Sequence, residues 1–408
     1  MSLNQKLNLS TNKIAVRFFA RTLLAILTIG NGLAVLLIRD STLVRTSNDF
    51  SNDRPSEFSA FVFCNSWPGC FRYGSSLLGD IPLVISRHLS TFYVASIGRF
   101  TQPDIANQIY LGSAISLIYR VSAFLVVAFC LWVIFKSWFA SAVLINCFFL
   151  HLTGAIPIRT FNAFTYLFGV QIGTSSIGEI PHIEEVLRNT VEVHSRMYLV
   201  FYDFSALAML AVFLVLFEKE FYKRFSLTQI FAIGFFATSI FEHLAIVAAV
   251  ACIVLSLRDK DKQIRIAVTA LTAGALASVV FAFSAGYLRS KNAGSNLLDT
   301  WNRYGQENFR HLDQIIMGFI ISLLPVILLG LICGLLLGAN LVNKIQISDS
   351  LKSNIQALMI GLSLSYFFGL FTSGLSSEVG RQTLGLQILL LIYTFVIVIG
   401  RRQKQLHL

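Results

Sequence analysis

Charge is what this chain has least of. Only 13% of its 408 residues are Asp, Glu, Lys or Arg, against roughly 25% in a soluble domain. A water-facing surface of this length is therefore excluded, and long apolar runs account for the deficit. Several sequence signatures are missing as well. There is no GxxxxGKS/T loop, no HExxH, no CxxC and no GxSxG, which removes the phosphate-loop nucleotidase, zinc-peptidase, dithiol-redox and nucleophile-elbow chemistries those spacings serve. No internal repeat, low-complexity tract or soluble domain stands out, and the longest inside connection spans about 16 residues. Cytosolic nucleotide or nucleotide-sugar chemistry has nowhere to sit.

What is present is apolar and, where charged, basic. Hydrophobic residues make up 55% of the chain and the formal net charge is +11. The basic residues cluster in short connections between apolar runs, so they read as topology signals and not as a nucleic-acid surface. The expected fold is an all-α, polytopic membrane bundle forming one transmembrane domain over 1–408. Ten spans are expected, at about 18–38, 111–135, 138–156, 197–217, 227–241, 244–257, 264–287, 314–338, 354–372 and 383–400. Lys6, Lys13 and Arg17 before the first run mark a first span and not a cleaved signal peptide. Lys136, then Lys219, Lys223 and Arg224, then Arg258, Lys260, Lys262 and Arg265, then Lys344 and Lys352, then Arg401, Arg402 and Lys404 occupy every second connection. The positive-inside rule puts both termini in the cytoplasm, in a multi-pass protein of the plasma membrane (a bacterial inner membrane).

The stretch 227–257 decides the topology. As one helix it buries Glu242 and His243 and inverts every later connection. As a hairpin it keeps the basic connections together and puts Glu242 and His243 at an outer tip. The charge pattern selects the hairpin. Limbs of about 15 residues cover only ~22 Å of a ~30 Å hydrocarbon core, so that tip is expected in a water-filled recess among short, broken helices.

Two outer loops are long, 39–110 and 157–196. In the first, Asp80-Ile81-Pro82 opens a partly amphipathic stretch, with Arg87 and His88 polar, that suits a helix on the outer membrane surface. Cys64 and Cys70 flank a Pro68-Gly69 turn there and suit a disulfide on an oxidising side. A metal pair is the weaker alternative, because no second Cys or His pair lies at ligand spacing, and no metal ligands are assigned. Cys130, Cys147, Cys252 and Cys333 lie in apolar runs and read as small core residues.

Most outer polar residues are read as ordinary wet-loop residues, and the exceptions are those whose position is costly. Asp203 lies about two turns inside the fourth run and Arg120 inside the second. An intramembrane charge is either functional or paired, and an Arg120–Asp203 lock between two helices is the plainer reading. Glu242 and His243 follow the same logic. In the last outer turn, next to Glu378, Arg381 can offer a planar fork of donors to a phosphate, or be an ordinary interfacial arginine.

This layout resembles the GT-C class of membrane glycosyltransferases. The shared features are a cytoplasmic N-terminus, one span, a long Asp-rich outer loop with a surface helix, then a many-span bundle with polar outer ends. The nearest matches to that class's acidic motif are Asn48-Asp49, Asn52-Asp53 and Asp80. The resemblance implies inverting transfer of a sugar from a polyprenyl-phosphate carrier to a glycan or lipid acceptor on the non-cytoplasmic face. It implies Asp49 or Asp80 as base, Arg381 and Arg87 at the phosphate, and Glu242, His243, Glu378, Asp203, Arg120 and Arg159 around the substrate. Membrane lipid is the further partner; nucleic acid is not one. No soluble nucleotide is required, and a divalent cation is the one cofactor left open. An O-antigen-type polysaccharide polymerase or ligase, and a transporter or lipid flippase, are the alternative expectations.

Overall fold

A computed structural model describes residues 19, 22, 23, 26, 122–152, 197–240, 243–258, 261–287, 305–341, 345, 347–372 and 383–406. The described residues are helical apart from short connections, with no strand among them. In chain order the helices are α1 (Ser122–Phe135), α2 (Trp138–Leu152), α3 (Met197–Glu218), α4 (Leu227–Ile240) and α5 (His243–Arg258). They continue with α6 (Lys262–Tyr287), the short α7 (Gln306–Arg310), α8 (Leu312–Leu341), α9 (Asp349–Thr372) and α10 (Leu384–Leu406). Among the described residues, four helices are long and apolar enough to cross a bilayer: Lys262–Val280, Gly318–Gly338, Asp349–Leu370 and Leu384–Gln405. The other long apolar segments described are shorter. The chain is thus a helical membrane protein, and its outer faces agree: Leu336, Val280, Phe129 and Phe367 stand 71%, 63%, 61% and 61% exposed. In lipid, a face of this kind carries no penalty.

Local chemistry at one end of the bundle starts four of these helices. Ser137 Oγ accepts from Ala140 N in the first turn of α2 (3.3 Å). Ser226 and Gln229 form a reciprocal capping box at α4, with Ser226 N donating to Gln229 Oε1 (2.9 Å) and Gln229 N to Ser226 Oγ (3.3 Å). Asp261 accepts from Gln263 N ahead of α6 (2.9 Å), and Ser348 from Leu351 N ahead of α9 (3.1 Å). Each cap satisfies a donor that the helix start leaves without an internal partner, and is worth about 1 kcal/mol. Between α1 and α2 the chain turns in two residues. Lys136 adopts φ 49° and donates from its backbone to Trp132 O (2.7 Å), the left-handed arrangement that closes a helix.

Helix directions follow from contacts at their ends. Lys223, just before α4, reaches Asp261, just before α6, at 4.0 Å, so α4 and α6 start side by side. They cross with backbones in contact, because a Cβ on Gly234 would strike Leu271 O and one on Gly274 would strike Phe231 O. Thr272 of α6 also donates to Ala248 O of α5 at 3.2 Å. In one straight helix, residues 234 and 248 would lie ~21 Å apart. Here both meet neighbouring residues of α6, so α4 and α5 fold back on each other. The expected hairpin exists, whatever the membrane's orientation around it.

A second packing device joins α8 to α10. Gly330, Gly334 and Gly338 recur every fourth residue and face Thr394, Val398 and Arg402 at one constant offset. The two helices therefore run parallel and very close, since a Cβ on Gly334 would come within 2.7 Å of Val398 Cβ. Small-xxx-small spacing is how membrane helices bring backbones together without a hydrophobic driving force. The spacing is visible in the sequence, but only the fold shows which helix the stripe meets. α9, which links them in the chain, runs the opposite way on the other side of α10, and Gly361 lets it approach Val247 of α5.

Candidate functional site

These directions give the bundle two chemically different ends. The ends of α3, α5, α8 and α10 meet the starts of α4, α6 and α9 at one face, which carries Lys219, Lys223, Arg224, Arg258, Lys262, Lys352 and Arg402. Glu218 is the hub of that face. Its carboxylate accepts from Ser348 Oγ (2.5 Å), Ser350 Oγ (3.0 Å) and Asn354 Nδ2 (3.2 Å). Arg258 Nη1 donates to Asn354 Oδ1 at 3.2 Å, which ties α5 to the same cluster. Gln403 of α10 donates to Ile345 O beside it. These bonds clip α3, α5 and α9 to one another and α10 to the segment ahead of α9.

The far end is built differently. His151, in the last turn of α2, is 2% exposed and bonds through Nε2 to Gln387 Oε1 of α10 at 3.0 Å. Gln387 Nε2 donates in turn to Thr383 Oγ1 at 2.9 Å, one turn back along the helix. All three side chains are buried. Nearby helices add Ser239 and Ser278, whose hydroxyls meet at 3.0 Å between α4 and α6. Asn308 donates to Leu370 O at 2.9 Å, tying the short α7 to α9.

Three buried polar atoms have no hydrogen-bond partner among the described residues: His151 Nδ1, Thr238 Oγ1 and Ser322 Oγ. Thr238 lies near the far end of α4 and Ser322 in the far half of α8. Carrying the α8–α10 offset two stripe steps back from Gly330 puts Ser322 opposite Leu386, beside Gln387. Pro325, one turn on, has no N–H to give Ile321 O. An unsatisfied buried polar group costs about 1–3 kcal/mol, so three of them in the far half of their helices point to water or a ligand as the missing partner.

The residues expected to carry chemistry lie mostly outside the described residues. That holds for Asp49, Asp80, Arg87, Arg120, Arg159, Glu242, Glu378, Arg381, Cys64 and Cys70, and for the surface helix of the first loop. Of the two that remain, His243 begins α5 and Asp203 lies in the second turn of α3, both in the far half of their helices. Among the described residues no three His, Cys, Asp or Glu side chains gather as a metal site. Sequence reading left His151 unplaced and passed over Gln387, Thr383, Thr238 and Ser322. A histidine in an apolar run was the available signal for the first; the others became notable only once their burial was known. No protein-family model matches the chain, and neither a characterised protein nor a solved structure does.

Proposed function

We propose that this chain is a membrane glycosyltransferase working at the bundle end opposite its basic face, which is the non-cytoplasmic end. It takes a sugar from a polyprenyl-phosphate carrier and gives it to a glycan or lipid acceptor. The observation that carries this reading is the one-sided distribution of polar groups lacking partners. The basic face is closed by mutual hydrogen bonds, while unpaired polar atoms lie in the other half. A transporter needs polar groups through the whole depth, whereas a transferase acting on a lipid-borne donor needs them at one end.

In this reading Asp49 or Asp80 removes the proton of the acceptor hydroxyl. Its oxygen attacks the anomeric carbon from the face opposite the carrier, the glycosidic bond forms, and the bond to the phosphate oxygen breaks with inversion. Arg381, with Arg87, stabilises the charge arriving on that phosphate. Glu242, His243, Glu378, Asp203, Arg120 and Arg159 are assigned to the surrounding pocket, and the prenyl tail to a lipid-facing groove. The protein sits as a multi-pass chain in a bacterial inner membrane with both termini inside.

The test uses purified full-length protein with short-chain polyprenyl-phosphate-linked hexoses, following release of polyprenyl phosphate. Arg381→Ala is expected to lower turnover by about 10² or more, as loss of one charge-stabilising donor does elsewhere. One of Asp49→Asn and Asp80→Asn should do the same. If both Asp variants stay active while Arg381→Ala is dead, an O-antigen-type polymerase or ligase is the better reading. Donor lipid left intact while solute or lipid crosses proteoliposomes would replace the enzyme with a transporter.

A further inference from the structure

The His151–Gln387–Thr383 chain has a direction. Gln387 gives its Nε2 hydrogen to Thr383 Oγ1 and turns its Oε1 toward His151. An oxygen facing the ring at 3.0 Å needs a hydrogen on Nε2. In the neutral ring the other nitrogen, Nδ1, then holds a lone pair and no hydrogen. Nδ1 is fully buried, without a partner among the described residues, and Ser322 Oγ, equally buried and unpaired, falls at the level of Gln387 on the helix alongside. The position is fixed by two neighbours that sequence reading did not connect, 236 residues apart along the chain. What such an atom accepts is a hydrogen from an uncharged donor, since the groups shown beside it, Gln387 and Thr383, are neutral and the neighbouring positions on α2 and α10, Phe148, Leu384 and Ile388, are buried apolar residues.

We propose that His151 Nδ1 is the hydrogen-bond acceptor of a hydroxyl-binding subsite at the far end of the bundle, with Gln387 as its positioning residue. The ligand chemistry is a neutral O–H donor. Resting on the transferase reading above, the ligand is a sugar hydroxyl of the carrier-linked hexose; bound water is the competing source. The subsite gives the pocket a polar contact that recognises the sugar without adding charge inside the membrane.

Diethyl pyrocarbonate acylates a neutral imidazole nitrogen that can be approached, and peptide mass spectrometry of the full-length protein reads it at each histidine. His311, partly exposed at the same end, serves as the internal standard. His151 is expected to react more slowly than His311, because reaching it requires local opening. A polyprenyl-phosphate-linked hexose should slow it at least fivefold further, while polyprenyl phosphate without sugar should not. No reaction at His151 while His311 is consumed would overturn the proposal. So would equal protection by the sugarless lipid, or reaction unaffected by the hexose lipid, the latter marking a water site.

Kinetics give the second arm. His151→Phe combined with Gln387→Leu replaces both ends of their bond by apolar groups of similar volume but takes one donor from Thr383 Oγ1, so thermal unfolding is measured alongside to show that the fold survives. The double variant should raise KM for the hexose lipid about tenfold, the loss of one hydrogen bond, and change kcat by less than threefold. Transfer that proceeds with KM unchanged sinks the subsite and leaves the transferase reading standing. A wild-type protein that transfers nothing but shows sugar-specific protection of His151 does the reverse.

Discussion

The two ends of this bundle use similar side chains for opposite purposes. At the basic face, Ser348, Ser350 and Asn354 all donate to one carboxylate, Glu218, which ties α3 to α9, and Arg258 ties α5 to the same Asn354. At the far end, Thr238 and Ser322 are buried more deeply than those two serines, at 1% and 0% exposed, yet have no partner among the described residues. A bundle that only needed to stand in a membrane would gain by satisfying both ends or by making the second one apolar. Polar groups kept unsatisfied on one side mark where the chain meets something other than itself.

The first way to break the comparison is to remove the spine both ends share. Gly234→Val or Gly274→Val forces α4 and α6 apart, because the new side chain meets backbone that cannot yield. Overpacking of this kind costs about 1–3 kcal/mol and more where backbone must move. Little monodisperse protein should survive detergent extraction. Gly338→Ala is the control: its Cβ would meet the flexible Arg402 side chain at 2.8 Å, and the protein should extract normally.

Next in size is Glu218→Ala, which strips the acceptor from Ser348, Ser350 and Asn354 together. Thermal unfolding in detergent should show a loss of about 1–2 kcal/mol, because Asn354 is a buried donor while Ser348 and Ser350 can turn to water. A change under ~0.5 kcal/mol would mean that the basic face is no latch and that the two ends do not differ.

Thr238→Val and Ser322→Ala sharpen the same contrast from the other side. Each removes a hydroxyl that has no partner among the described residues, so stability should stay within about 0.5 kcal/mol or rise. Destabilisation beyond ~1 kcal/mol by either would reveal a structural partner and weaken the case for a ligand site.

The smallest effect belongs to Lys223. Glu220, bonded to it at 2.7 Å, together with Asp261, holds the exposed ammonium above its ordinary value. A raised folded-state value stabilises the fold below the unfolded lysine value of about 10.4 and ceases to do so as pH climbs through the folded one. Lys223→Gln should therefore leave thermal unfolding between pH 6 and 9 almost unchanged, since exposed pairs contribute little. It should abolish only a shallow decline in strongly alkaline buffer; a large shift at neutral pH would contradict the exposed geometry.

Orientation is tested separately. Lys262→Cys and Asp349→Cys lie on the basic face in exposed positions, and impermeant maleimide should reach both from the same side of the membrane, the cytoplasmic one.

Much of the architecture was legible because lipid removes ambiguity. With no water to satisfy the backbone, an apolar run of sufficient length must become a helix. The segments read from 138–156 to 383–400 meet helices in the described residues, with ends a few residues apart, and 111–135 meets Ser122–Phe135, its first part lying outside the described residues. The capping residues Ser137, Ser226, Asp261 and Ser348 are local signals acting within three positions of themselves. Among the described residues the basic connections likewise fall at one face, as their alternation required. The 227–257 hairpin was legible only through that charge pattern, since its limbs are too short to declare themselves.

What the sequence determined, then, was where the long helices lie and that the charges of their described connections share one end of the bundle, because those follow from neighbours along the chain. The tertiary structure alone decided the rest. It made the stripe Gly330, Gly334 and Gly338 a contact with Thr394, Val398 and Arg402, and it aligned α4 parallel to α6 through two glycines that look ordinary in sequence. It also joined His151 to Gln387 and left one ring nitrogen unpaired. A hydrogen bond between residues 236 positions apart has no local signature. It exists because helix packing brings two side chains within 3.0 Å, and packing is a property of shapes that a one-dimensional pattern does not carry.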